Sequence, residues 1–120
     1  MVIIGYLRYI GSKEKDIPQP INMSSAYCMF EDCSKIRSLD LSNWNAGNIK
    51  NMVLMFLYCT SLQLLNLSNW DISNVKHSAN MFYGCSSLHS KYGTKIDKDL
   101  LEKIIEDSNK QQQANKIDLF

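Results

Sequence analysis

The chain has 120 residues, of which 45% are hydrophobic and 21% are charged, and its formal net charge is +1. This length is typical of one domain, in which about two thirds of the unfolded surface becomes buried. A net charge so close to zero provides no long-range attraction for nucleic acid or for an anionic membrane surface, so we expect neither as a partner.

The first ten residues are apolar, but Gly5 and Arg8 interrupt them. A membrane-spanning helix needs about 20 predominantly apolar residues. A secretory signal peptide needs a positive n-region, a longer apolar core and a small-residue cleavage site. The sequence as written therefore predicts no membrane span and a chain that stays in the cytoplasm. We expect residues 1–28 to form a degenerate first repeat or N-terminal cap.

A repeat with a period of 26 residues dominates the middle of the chain. The stretch LDLSNWNAGNIKNMVLMF at residues 39–56 returns as LNLSNWDISNVKHSANMF at residues 65–82. Met-Phe pairs begin at positions 29, 55 and 81, and cysteines at 33, 59 and 85 keep the same step. A period of about 20–29 residues with Leu-x-x-Leu-x-Leu is typical of leucine-rich repeats. We therefore expect residues 29–90 to contain two full repeats and a partial third.

Each repeat is predicted to contain a short strand followed by a short helix. Apolar residues at every second position predict strands whose leucines point into the core. These leucines are Leu39, Leu41, Leu65 and Leu67. The segment at residues 49–59 has apolar residues at helical spacing. Asn48 and its counterpart Asn74 stand where an N-cap would accept a backbone N–H.

The pattern Met-Phe-x-x-Cys-x-Ser-Leu-x-x-Leu-x-Leu-Ser-Asn-Trp-Asp-x-Ser-Asn-Val resembles the BspA-like leucine-rich-repeat surface proteins of bacteria and some protozoa. The resemblance covers residues 22–88 and is closest in MFYGCSSL and LSNWDISNV. It implies a short right-handed α/β solenoid with parallel strands on one face and short helices on the other. It also implies display at the cell surface and adhesion to host proteins or other cells. One departure is Ser78, which stands where the preceding copy has Met52.

Residues 91–120 are predicted to form a capping helix and a tail. In TKIDKDLLEKIIEDSNK, Asp97 is placed as the N-cap, and Ile96 and Leu101 are placed to form a hydrophobic staple. The predicted apolar stripe of the helix is Leu100, Leu101, Ile104 and Ile105. We expect this helix to close the last repeat, and a partner-binding or dimerising helix is the alternative. In the tail, Ile117, Leu119 and Phe120 are placed to dock or to add a strand.

The four cysteines are interpreted as structural residues. Cys33, Cys59 and Cys85 share one register of the repeat, which favours buried thiols that pack as small hydrophobic groups. A zinc site is the alternative, but structural zinc usually takes ligands from close pairs such as C-x2-C. Because neighbouring helices lie about 8–10 Å apart and a disulfide needs Cα atoms within about 7 Å, we expect no disulfide in this register. Cys28 lies outside it and is expected to be a free thiol.

The sequence shows no recognisable nucleophile, zinc-protease or phosphate-loop motif around His77 or His89, so we expect surface histidines and no enzyme activity. Neither a cofactor nor a metal is indicated. Trp44 and Trp70 are interpreted as core residues at the strand-to-helix turn, and an aromatic binding strip is the alternative.

The expected function is a non-enzymatic protein–protein interaction module, with a host or cell-surface protein as the partner implied by the resemblance. The candidate partner-binding residues point outward from the predicted strands. They are Ser38, Asp40, Ser42, Leu64, Asn66 and Ser68. The alternative is a truncated or vestigial structural repeat segment that forms a homodimer through its capping ends and has no ligand of its own.

Overall fold

Three short parallel strands and one helix make up the regular structure of the described chain. A computed structural model describes residues 12–14, 19, 23–89 and 94–114. The elements are β1 (Ser12–Glu14), β2 (Ile36–Asp40), β3 (Leu64–Asn66) and α1 (Lys98–Ala114). The strands form one sheet in the order β1-β2-β3. Most of the predicted N-terminal cap, residues 90–93 and the predicted tail at residues 115–120 lie outside the described residues.

Strands β2 and β3 pair in parallel at the positions that the 26-residue period relates. The pairs are Ser38 with Leu64, Leu39 with Leu65, and Asp40 with Asn66. The leucines at positions 39 and 65 in these strands, and those at 41 and 67 directly after them, are each at most 2% exposed. The prediction that the four leucines point into the core is confirmed. Beyond β3, Lys95 forms an isolated parallel bridge with Asn66, which extends the sheet edge by one residue.

The segments predicted as short helices are turns. Residues 25–32, 51–58 and 77–84, here called the turn ladder, lie side by side and bond to one another. The Ala26 N–H donates to the Asn51 carbonyl oxygen, and the Met52 N–H donates to the His77 carbonyl oxygen, both at 2.7 Å. In a helix these N–H groups would instead donate to the carbonyl four residues back in the same segment.

Backbone dihedrals explain why no helix forms in the turn ladder. Positive φ angles between 53° and 81° recur at Cys28, Asp32, Leu54, Tyr58, Asn80 and Gly84. A right-handed helix requires negative φ at every residue. Gly84 occupies in the third segment the position that Asp32 and Tyr58 occupy in the first two. A Cβ at Gly84 would lie 2.4 Å from Tyr58 Cδ1. Glycine is therefore required at this position because the Tyr58 ring lies over it.

The predicted fold class, a short right-handed α/β leucine-rich-repeat solenoid with helices on one face, is therefore wrong. The described residues form a small compact unit of short parallel strands with a single helix. The helices are predicted from apolar residues spaced three and four apart. The same spacing also fits these turns, in which a positive φ recurs every four residues. Asn48 and Asn74 consequently cap no helix, and the Asn74 Nδ2 group donates to the Gly47 carbonyl oxygen at 2.7 Å.

A stack of phenylalanine rings fills the core beneath the turn ladder. Phe30 and Phe56 have ring centroids 5.4 Å apart and an interplanar angle of 3°. Phe56 and Phe82 follow at 5.6 Å and 16°. Offset-stacked aromatic pairs add stabilisation beyond the area that they bury. The three rings therefore join the three turn segments through one continuous apolar contact.

Helix α1 begins at the N-cap that the sequence predicts. Asp97 Oδ1 accepts hydrogen bonds from the N–H groups of Asp99 and Leu100 at 2.8 and 3.4 Å. A side-chain oxygen at this position supplies an acceptor for N–H groups that have no partner within the helix. The predicted N-cap is confirmed.

The predicted apolar stripe of α1 is only half buried. Leu100 and Ile104 are 0% and 6% exposed, whereas Leu101 and Ile105 are 42% and 54% exposed. Consecutive helical residues are rotated by about 100°, so residues 101 and 105 lie to the side of the line that contacts the core. The predicted stripe therefore divides into a buried pair that contacts the core and an exposed pair beside it.

Side chains of α1 close the turn ladder. The Asp107 Oδ2 atom accepts hydrogen bonds from the Ser78 N–H at 3.0 Å and from the Ser78 hydroxyl at 2.8 Å. The Ser108 hydroxyl oxygen accepts from the Asn80 N–H at 2.8 Å. In the preceding segment, the equivalent N–H groups of Met52 and Leu54 donate to backbone carbonyls of the next segment. The helix thus replaces those carbonyls with side-chain oxygens.

Candidate interaction surface

The predicted partner-binding residues lie on the outward face of β2 and β3 and in the turns that follow these strands. Asp40 Oδ1 accepts hydrogen bonds from the Ser42 N–H at 2.9 Å and the Ser42 hydroxyl at 2.6 Å. Asn66 Oδ1 accepts from the N–H and the hydroxyl of Ser68 at 3.0 and 2.7 Å. The same local turn therefore ends both strands. Its hydrogen bonds orient all four side chains.

The register of the sheet brings the remaining two candidates together. Ser38 and Leu64 are cross-strand partners, two pairs before Asp40 and Asn66. All six candidate residues are half-buried. Leu64 is the one apolar side chain among them and lies beside small and polar neighbours. The structure thus places the six residues on one small surface.

Trp44 and Trp70 lie in the core, as the sequence predicts. Each is 6% exposed. The Trp70 Nε1–H group donates to the Leu41 carbonyl oxygen at 2.8 Å, and the Trp44 ring centroid lies 5.9 Å from that of Phe30. A buried indole needs a partner for its N–H group, and the Leu41 carbonyl provides it. The alternative of an exposed aromatic binding strip is therefore wrong for these two residues.

The cysteines in the repeat register are reduced and hydrogen-bonded. All four cysteines are free thiols. The Cys59 thiol donates to the Phe30 carbonyl oxygen at 3.1 Å, and the Cys85 thiol donates to the Phe56 carbonyl oxygen at 3.0 Å. Hydrogen bonds with Cys33 and Cys85, together with burial, raise the pKa of the Cys59 thiol. The predicted free thiols are confirmed. The spacing between helices, from which the sequence predicts no disulfide, is not the reason, because these segments are turns.

We expect Cys59 to react with a maleimide or an aromatic disulfide at pH 8 at least about tenfold more slowly than Cys28, because only the thiolate is nucleophilic. Cys59 is 2% exposed and its pKa is raised, whereas Cys28 is half-buried. Mass spectrometry of peptides after timed labelling measures the two rates. Denatured, non-reduced protein should give four thiols, and a lower count or a fast Cys59 would contradict the buried assignment.

The two histidines are exposed, as the sequence predicts. In the part of the chain that the structure describes, no group of three or more His, Cys, Asp and Glu side chains is arranged to hold a metal ion. Within the same residues, no helix is long and apolar enough to cross a membrane.

The sequence repeat does not predict the exposed tyrosines or the cavity beside one of them. Tyr27, Tyr58 and Tyr83 are 58%, 46% and 57% exposed. Tyr58 and Tyr83 pack edge to face with ring centroids 5.7 Å apart. Tyr27 borders a cavity of about 370 Å³ between the turn ladder and α1. The sequence does contain a signal for this cavity. Side chains at one position of the repeat become smaller along the chain, from Tyr27 through Val53 to Ala79.

The fold and the surface together define a small compact protein with short parallel strands, one closing helix and an ordered polar strand face. The chain belongs to the family described as Mycoplasma protein of unknown function, DUF285, whose family model matches residues 15–117. Comparisons with curated proteins and with solved structures find no match.

Proposed function

We propose that the chain is a non-enzymatic protein–protein interaction module that binds its partner through the outward face of β2 and β3. The observation that carries this proposal is the pair of identical turns in which Asp40 holds Ser42 and Asn66 holds Ser68. Side chains that are ordered before binding lose less conformational entropy when a partner docks. A surface of this kind favours recognition by shape and hydrogen bonding.

The composition of this surface also supports binding to a protein. Leu64 is a half-buried apolar residue between polar neighbours, which matches the apolar centre and polar rim of many interfaces. The two strands have only five and three residues. Interfaces much below about 1,200 Å² are typical of weak or transient complexes. We therefore propose a transient partner for the isolated chain.

The repeat pattern narrows the class of partner. The resemblance of the 26-residue segments to BspA-like surface proteins supports a partner on a host cell or another cell. Neither exposed histidine lies in a nucleophile motif, which favours binding over catalysis. Adhesion is thus the proposed biological use of the strand face.

The test uses purified extracellular-matrix and host-surface proteins immobilised on a biosensor. Wild-type protein should bind at least one of them saturably, and Leu64→Glu should weaken that binding at least about tenfold, because it places a charge in the apolar centre. Leu57→Glu is the matched control, since Leu57 is a half-buried leucine of the turn ladder. The proposal fails if no immobilised protein binds, or if both variants weaken binding equally.

A second candidate function is self-association through α1. The observation that favours it is the exposed pair Leu101 and Ile105, one turn apart on the helix. Two copies that pack these residues against each other would bury apolar surface on both. Light scattering should then show a fraction of dimer that increases with protein concentration and is absent in Ile105→Lys. A constant monomer mass at every concentration would rule out this candidate.

A further inference from the structure

The cavity beside Tyr27 owes its shape to the repeat register and to α1. Tyr27, Val53 and Ala79 occupy equivalent positions in the three segments of the turn ladder, and all three border the cavity. Their side chains become smaller toward the helix, so a space of about 370 Å³ remains between the Tyr27 ring and α1. This volume lies at the lower end of the range of about 300–1,000 Å³ found for small-molecule sites.

Hydrogen bonds within the protein orient two polar groups at this cavity. Asp107 Oδ2 accepts two hydrogen bonds from Ser78, which is fully buried, and this holds the carboxylate in one orientation. Asn51 Oδ1 accepts from the Val53 N–H at 2.9 Å, which leaves the Nδ2 group of Asn51 as a donor. An oriented acceptor and an oriented donor therefore border the same space as an exposed aromatic ring.

The charges around the cavity favour a neutral ligand. The Lys110 ammonium group borders the cavity but lies 3.0 Å from the Glu106 carboxylate, which offsets its charge. Asp107 adds a negative charge on the same helix. A simple anion would meet this carboxylate, and a simple cation would meet the Lys110 ammonium group. Neither is favoured by a site of mixed sign.

We propose that this cavity is a binding site for a neutral saccharide. A sugar hydroxyl is both a donor and an acceptor, so neighbouring hydroxyls match the Asp107 carboxylate and the Asn51 amide. The C–H face of a pyranose ring is apolar and packs well against an aromatic ring such as that of Tyr27. This activity is separate from the proposed protein interaction, because the cavity shares no residue with the six candidates on the strand face.

Titration followed by NMR tests the proposal on the full chain. The probes are glucose, galactose, mannose, N-acetylglucosamine and their disaccharides, with inorganic phosphate and acetate as anionic comparators. At least one sugar should shift the amide signals of Tyr27, Asn51 and Ala79 saturably. Because the proposed ligand carries no net charge, its affinity should change little between low and high NaCl concentration.

Two pairs of variants separate ligand contact from loss of structure. Tyr27→Ala should weaken sugar binding by about tenfold, whereas Tyr83→Ala, at a tyrosine of nearly equal exposure outside the cavity, should leave it unchanged. Asn51→Asp keeps the acceptor for the Val53 N–H but removes the Nδ2 donor, so binding should weaken while the fold is kept. Leu64→Glu should not alter sugar binding, which distinguishes this proposal from the proposed protein interaction.

Three results would overturn the assignment. One is the absence of cavity shifts for every sugar at its highest soluble concentration. Another is equal loss of binding in Tyr27→Ala and Tyr83→Ala. The last is binding of phosphate or acetate, but not of sugars, that disappears in Lys110→Gln, because that pattern identifies an anion site.

Discussion

Leu65→Ala is expected to lower the free energy of unfolding by about 2–5 kcal/mol. Leu65 is 0% exposed in β3, with β2 on one side, and its carbonyl oxygen accepts a hydrogen bond from the Lys95 N–H at 2.8 Å on the other. Because both neighbours are held by backbone pairing, the site cannot collapse to fill the cavity that the substitution leaves. Urea unfolding measures the change.

The matched control for Leu65→Ala is Leu64→Ala, at the preceding residue of the same strand. Leu64 is half-buried on the outward face, so its truncation should cost clearly less. A loss under about 1 kcal/mol for Leu65→Ala, or equal losses at the two positions, would contradict the inward orientation of Leu65.

Asp107→Ala is expected to lower the free energy of unfolding by about 2–4 kcal/mol, because it leaves two donors of Ser78 without their acceptor. Ser78 is 0% exposed, and both its N–H group and its hydroxyl donate to Asp107 Oδ2. The same substitution opens the end of the turn ladder. Urea unfolding together with hydrogen exchange at the Ser78 amide measures both effects.

Two comparisons isolate the role of Asp107. Asp107→Asn keeps an oxygen acceptor at the same place and should cost less than Asp107→Ala. Adding Ser78→Ala to Asp107→Ala removes the stranded hydroxyl and should recover part of the loss, which a double-mutant cycle quantifies. If Asp107→Ala unfolds with wild-type stability and unchanged Ser78 exchange, the closing role of α1 is wrong.

The N-terminal end of α1 shows how much local chemistry can be read from the sequence. Asp97 was recognisable as an N-cap because an acidic residue precedes a run with helical periodicity, and both signals lie within a few residues. The exposure of Leu101 is not predictable in the same way. It depends on the rotation of the helix against the core, which the turn ladder sets from a distance of more than 20 residues along the chain.

The turn segments show the opposite case. Tyr58 and Cys28 adopt positive φ, although tyrosine and cysteine give no sequence signal for that conformation. Their backbone is held by bonds to segments 25 or more residues away, such as Tyr58 N–H to the Tyr83 carbonyl oxygen at 2.8 Å. The predicted helices are wrong because the spacing of apolar residues alone does not distinguish a helix from these turns, which bonds between segments hold in place.

The sequence by itself determined which residues share a register and which leucines of the repeat are buried, because the 26-residue period and the alternation of leucines both follow from side-chain type. It located β2 and β3 but not β1, and it identified the free thiols, the core tryptophans and the start of α1. Only the tertiary structure decided that the remaining segments are turns, that Asp107 and Ser108 close them, and that a cavity opens beside Tyr27. Those features depend on backbone hydrogen bonds and distances between segments, which side-chain type does not encode.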